Sequence, residues 1–188
     1  MELPDPLLAM ALDLTASLAG KDRLARVLES VRGALPCDAA AVLELVGDEL
    51  VPLATHGLAP EVLGRRFARR EHPRLDLVLA RRAPVRFAAD SALPDPYDGL
   101  LLANPDATRD VHACLGCPLL AGENVIGVLT ADALEPGAFD QLDERFLRML
   151  GALAGGRTPH GAPDRRAGGG LSSSPAGRER PLARSVPP

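Results

Sequence analysis

Apolar positions along the chain change period several times, and each change marks an element. Across residues 22–35, Leu24, Val27, Leu28, Val31 and Leu35 recur at helical spacing, which predicts an amphipathic helix with one apolar face. Pro36 ends it, because proline lacks the N–H that a helix interior requires. A looser alternation of apolar and small residues predicts an earlier helix over residues 7–18. Residues 40–46 and 49–54, parted by Gly47 and Asp48, read as the two strands of a hairpin. Pro52 in the second strand predicts an edge position or a bulge. Short helices are expected over residues 60–66 and, with Pro73 in its first turn, over residues 74–81. Residues 84–87 form a short strand. Residues 88–110 show no period and hold Pro94, Pro96, Gly99 and Pro105, a loop of a length that compact domains keep for function or leave disordered. Two further strands, residues 114–120 and 125–132, flank a turn at residues 121–124. Asp140 is expected to cap a closing helix whose apolar stripe is Leu142, Phe146, Met149, Leu150 and Leu153.

Strands at hairpin spacing imply an antiparallel sheet, and helices near both ends can cover one of its faces. The expected fold class is therefore α+β in layers, with the short helices and the long loop enclosing a pocket on the other face. This domain is expected to occupy residues 5–154. Beyond it, seventeen of the 34 residues 155–188 are Gly, Pro or Ser and only Leu171, Leu182 and Val186 are large aliphatics, so a disordered tail is expected. The tail carries a net charge of +4, which leaves −8 on residues 1–154. An acidic body argues against a nucleic-acid surface and suits a protein that collects cations. No run approaches the roughly 18 apolar residues of a membrane helix, and the acidic start lacks the basic region of a secretory signal. A cytoplasmic location with no membrane partner is expected.

Four places could carry chemistry. In the long loop, Asp95 and Asp98 flank Pro96, which restricts the turn so that both carboxylates can converge; Asp, Pro and Gly are equally the ordinary residues of a surface turn. Cys114 and Cys117 have the C-x-x-C spacing of half a zinc site or a redox pair, but no second pair completes a zinc knuckle. Strand alternation places Cys114 and His112 on one face and Cys117 on the other, unless Gly116 breaks it. As an alternative, both cysteines are small core hydrophobes. With Cys37 the count is odd, which argues against a disulfide framework. Asp132 ends an apolar strand: facing outward it is a turn cap, facing inward a buried charge that needs a partner. Finally, His72 and Arg74 surround Pro73 and are either solvated or part of a site.

Taken together, Leu63-Gly-Arg-Arg-Phe67, His72-Pro-Arg-Leu75, Arg86-Phe87, Leu93-Pro-Asp-Pro-Tyr-Asp-Gly-Leu100, Val111-His-Ala-Cys114 and Leu129-Thr-Ala-Asp132 resemble the N-terminal sensor of the nitric-oxide-responsive, sigma-54-dependent activators that regulate nitric oxide reductase. The resemblance covers residues 5–154. It implies a GAF domain and a mononuclear non-haem Fe(II) site that binds nitric oxide, with Arg74, Asp95, Asp98, Cys114 and Asp132 as the iron-site residues. His112 is next to that set in sequence, and Cys117 is outside it. Three carboxylates and a thiolate sum to about −4, which crowding would partly protonate in the absence of a cation. The thiolate adds electron density to hard oxygen donors. A guanidinium has no free lone pair, so Arg74 is easier to defend beside the ligands than among them.

In that family the sensor precedes an ATPase and a DNA-binding helix pair. This chain has neither a G-x-x-x-x-G-K-[ST] loop nor such a pair, and the match stops near residues 154–155. A truncated or free-standing sensor is expected, one that neither hydrolyses ATP nor activates transcription alone and acts, if at all, in trans or as a homodimer through its terminal helices. A non-enzymatic sensory module is the leading reading. The alternatives are a GAF-fold thiol enzyme such as a free methionine sulfoxide reductase and a metal-free GAF dimerisation module.

Overall fold

The computed structural model describes residues 20–102 and 113–155. The helix expected at residues 7–18, the second half of the long loop with His112, and the tail from residue 156 lie outside the described residues.

The first described helix, α1 (Gly20–Ala34), follows the predicted stripe, with Leu24, Val27, Leu28 and Val31 buried. Strands β1 (Ala39–Val46) and β2 (Glu49–His56) form the expected hairpin. Their register slips between Val42 and Leu43, opposite Ala54 and Pro52, so the proline sits at a bulge, where its missing N–H breaks no ladder. A 3-10 turn (Pro60–Gly64), the two-residue β3 (Phe67–Ala68), a second 3-10 turn (Arg69–Glu71) and α2 (Pro73–Arg81) lead to β4 (Val85–Ala88). Strands β5 (Ala113–Ala121) and β6 (Asn124–Ala133) form the second hairpin, turning at Gly122, whose φ of 62° suits a residue without Cβ. The closing helix is α3 (Glu144–Gly155). Its cap is Asp143 rather than the expected Asp140: Asp143 Oδ1 accepts from the backbone N–H groups of Arg145 and Phe146. Asp140 instead closes a turn, its N–H donating to Gly137 O at 2.9 Å.

All strand pairs are antiparallel and the sheet order is β3-β2-β1-β6-β5-β4. The sheet separates two apolar layers. One packs α1 and α3 over Val42, Leu115, Cys117, Leu119, Leu129 and Ala131. The other packs α2, the first 3-10 turn and the long loop over Ala39, Ala41, Leu43, Cys114 and Val128. This is the α+β arrangement expected from the spacing, with the helices near both ends on one face and the loop on the other. The described part of the loop is fastened at its end: Leu101 bridges Leu58, Ala59 N–H donates to Leu100 O at 2.8 Å, and Leu102 N–H donates to Gly57 O at 2.9 Å. None of the described helices is long and apolar enough to cross a membrane.

Candidate metal centre

The loop-side face of the sheet is built from small residues where the pocket lies. Register runs one row through Phe87, Cys114, Asp132 and Ala39, and the next through Val85, Gly116, Thr130 and Ala41. Cys114 and Asp132 are thus direct cross-strand neighbours, close enough for their side chains to interact. Alternation also settles the cysteines: Cys114 belongs to the loop-side layer and Cys117 to the helix-side layer, so the C-x-x-C pair faces opposite sides of the sheet.

Helix α2 supplies Arg74. Pro73 starts the helix, and Arg74, Leu75, Val78 and Leu79 form its buried face. Gly116 lets this face approach the sheet, since a Cβ there would lie 2.4 Å from Val78 Cγ2. Arg74 is 7% exposed. Its Nε donates to Leu93 O at 2.8 Å, and one terminal nitrogen donates to Asp95 Oδ2 at 3.0 Å and to Cys114 Sγ at 2.8 Å. The guanidinium also stands over the Phe87 ring, 5.3 Å from its centre.

The loop supplies Asp95. Its Oδ1 accepts the Tyr97 N–H at 2.7 Å, an Asx turn that leaves Oδ2 for the interior. Cys114 Sγ donates to that Oδ2 at 3.0 Å. Asp132, 2% exposed, completes the set, and its Oδ2 has no hydrogen-bond partner among the described residues. Ligand atoms of Asp95, Cys114 and Asp132 lie within 4.8 Å of one another.

Four of the five residues expected at the site therefore meet although 58 positions separate Arg74 from Asp132. The fifth, Asp98, does not join them. Its N–H makes a long bond of 3.5 Å to Asp95 O and its side chain is exposed, so the two aspartates of the turn point to different environments. His72 packs edge-on against Phe67, with ring centres 5.0 Å apart, and is outside the donor group.

Electrostatics within the group favour protons in the absence of a cation. Burial raises the Asp132 carboxyl well above the usual range, and the negative charge of Asp95 adds to this; Cys114 and Arg74 pull the other way. Burial likewise pushes the Cys114 thiol upward, helped by Asp132 and Asp95 and opposed by Arg74. Two carboxylates and a thiolate would total −3 when ionised, against one guanidinium. A divalent cation would balance that sum and satisfy the orphaned oxygen, so the residues fit such an ion. Oxygen donors mixed with one thiolate suit a first-row transition metal better than magnesium or calcium.

Two pocket residues were not singled out by the sequence. Tyr97 is fully buried and packs edge-on against Phe67 at 5.6 Å, and Thr130 Oγ1 donates to its hydroxyl at 3.1 Å. The signals were present: Tyr97 is the only tyrosine of the chain, set in a loop of turn residues, and Thr130 shares a strand face with Asp132. With Arg74, Val78, Phe87, Cys114 and Asp132, they line a cavity of about 20 Å³.

Comparison with known proteins matches the GAF domain family over residues 20–157. The chain is 47% identical over 152 residues to the anaerobic nitric oxide reductase transcription regulator NorR of Aliivibrio fischeri, covering 81% of this chain and 30% of that protein. It is 47% identical over 147 residues to the protein of the same name from an Enterobacter species, covering 78% and 29%. The chain thus spans about 30% of the length of the curated relatives it matches. Among solved structures, the GAF domain of a phosphoenolpyruvate-protein phosphotransferase from Coxiella burnetii is 28% identical with a TM-score of 0.64, over 79% of this chain and 88% of that one. Free methionine-R-sulfoxide reductase from Neisseria meningitidis shares the fold at 20% identity and a TM-score of 0.62, over 82% and 86%.

Proposed function

Since this chain belongs to the GAF domain family, we propose that its loop-side pocket is a regulatory sensor site, in which Asp95, Cys114 and Asp132 hold one ferrous ion that binds nitric oxide. The observation that carries this reading is the buried Asp132 oxygen with no hydrogen-bond partner among the described residues, next to a second carboxylate and a thiol. Such a group is costly to bury uncompensated, and a cation at that oxygen would remove the cost. The likeness to relatives named as nitric oxide reductase regulators supports nitric oxide as the signal.

A ferrous ion held by these donors would supply affinity for a small diatomic. The residues of the chain do the rest. Asp95 and Asp132 would provide hard oxygen donors, and Cys114 would bind as the thiolate, its proton released to solvent. Arg74 stays a cation and donates to Cys114 Sγ and Asp95 Oδ2, so it orients two donors and offsets their charge instead of ligating. Asp98 is left to the surface of the turn. A Cys114–Cys117 redox couple gains no support, because the two thiols lie on opposite faces of the sheet.

The test is anaerobic loading of the full chain with Fe(II), removal of unbound metal, and titration with nitric oxide. About one iron per chain and a ferrous–nitric oxide spin signal are expected, both lost in Cys114→Ala and Asp132→Asn. Iron below a tenth of stoichiometry, or a full signal in both variants, would refute the reading.

A further inference from the structure

The donor set leaves Tyr97 and Thr130 unused. Their two hydroxyls hold two protons, and the bond from Thr130 Oγ1 to the Tyr97 hydroxyl uses one. Among the described residues neither hydroxyl makes another side-chain bond, so with Thr130 as donor the phenolic proton has no acceptor among them. Tyr97 is nonetheless fully buried and packs edge-to-face with Phe67.

Both residues face the same cavity of about 20 Å³, which Asp132 and Cys114 also line. That volume exceeds the roughly 10–15 Å³ needed by one water-sized particle, and it is far below that of an organic ligand. Apart from Arg74, the donors and this hydroxyl pair, its walls are apolar or Gly116. One polar hydrogen therefore borders a space suited to one or two heavy atoms, beside the proposed metal donors.

On the reading that Asp95, Cys114 and Asp132 hold ferrous iron, we propose that Tyr97, polarised by the Thr130 hydroxyl, donates its phenolic hydrogen to the diatomic ligand in this cavity and sets how long that ligand is retained. Thr130 acts through Tyr97 as a positioning residue: its bond fixes the phenol rotor and leaves the proton directed away from Thr130. Nitric oxide held by a ferrous ion would carry added negative charge, and a neutral donor in a mostly apolar pocket would stabilise that charge.

The experiment uses the full chain loaded with Fe(II) under anaerobic conditions, as wild type and as Tyr97→Phe, Thr130→Val and Thr130→Ser. Three readouts are taken: iron per chain, the infrared N–O stretching frequency, and the rate of nitric oxide release into a trap. Iron content is expected to be equal in all four. Tyr97→Phe should raise the stretching frequency and release nitric oxide roughly 3- to 10-fold faster, the factor of one neutral hydrogen bond. Thr130→Val should move both readouts the same way by less, and Thr130→Ser should restore them. Unchanged frequency and rate in Tyr97→Phe with full iron would overturn the proposal and leave the metal site standing. Iron loss in Tyr97→Phe would overturn it in favour of a role in holding metal. Wild-type protein that takes up neither iron nor nitric oxide would overturn both. If Tyr97→Phe does not fold, Thr130→Val decides, and an unchanged frequency there counts against the proposal.

Discussion

A carboxylate buried with no hydrogen-bond partner at one oxygen among the described residues, as at Asp132, costs the fold stability that a bound cation would return. Its folded pKa is raised by burial and by Asp95, so the folded state binds a proton more tightly than the unfolded chain does. The associated stability is complete below the ordinary carboxylate range and is lost as pH rises toward the raised value, by up to about 1.4 kcal/mol per pH unit. Asp132→Asn should therefore flatten the acid-side slope of metal-free stability and raise the melting temperature at pH 8, while abolishing iron retention. Thermal melts from pH 5 to 8 check this, and a variant that melts lower at pH 8 would contradict it. The cysteines divide in the same local way. Burial pushes Cys117 up to about 12 and, with Asp132 and Asp38 adding, Cys37 up to about 11. Since the thiolate is the reacting form, alkylation of either at pH 8 should run about a hundredfold or more slower than for a free thiol. Cys117→Ala should leave the nitric oxide signal intact at a stability cost of about 1 kcal/mol, whereas Cys114→Ala should lose it.

Helix α2 and strand β5 show how an element places a residue it does not contain. Arg74 reaches Cys114 because the helix lies against a strand that has glycine at the point of contact. A methyl group at Gly116 would meet Val78 Cγ2 at 2.4 Å, which forces the helix outward or Val78 out of its rotamer. Gly116→Ala should cost about 1–3 kcal/mol and lower iron affinity by displacing Arg74. Adding Val78→Ala should return part of both, because the obstructing atom is a side-chain methyl. Denaturant midpoints and iron retention of the two single variants and the double variant measure the coupling; strict additivity would show that the contact does not set the position of the helix. Asp98 teaches the complementary point. It stands three residues from Asp95 in a proline-restricted turn, yet Gly99 with φ of 70° follows it and its side chain is exposed. Spacing within a turn allows convergence but does not impose it.

Over the whole molecule, the sheet insulates two layers with different work. The helix-side layer, with Leu147 and Leu150 fully buried, holds the fold together, and the loop-side layer encloses the site. Leu147→Ala should cost about 2–5 kcal/mol and still leave iron per folded chain unchanged, as calorimetry beside metal analysis would reveal. On the proposed reading, iron that binds only the folded state should raise the melting temperature. At a free metal concentration a hundred times the dissociation constant the gain is about 2.7 kcal/mol, or roughly 5–15 °C for a domain of this size. A melt insensitive to Fe(II) would remove the metal from the account.

Local periodicity determined which segments are helices and strands, and strand alternation alone separated Cys114 from Cys117, because both follow from the fixed geometry of the backbone over a few residues. The motif around Pro96 and the residues near Cys114 and Asp132 were enough to suggest the family and the site. Only the tertiary structure decided that Arg74, Asp95, Cys114 and Asp132 share a pocket, since that depends on sheet register, on a glycine that admits a helix and on a loop tied to residues 57–59. It also moved the helix cap from Asp140 to Asp143, turned Asp98 outward, and brought Tyr97 and Thr130 to the cavity beside Asp132. These outcomes rest on contacts between residues distant in the chain, which no local period encodes.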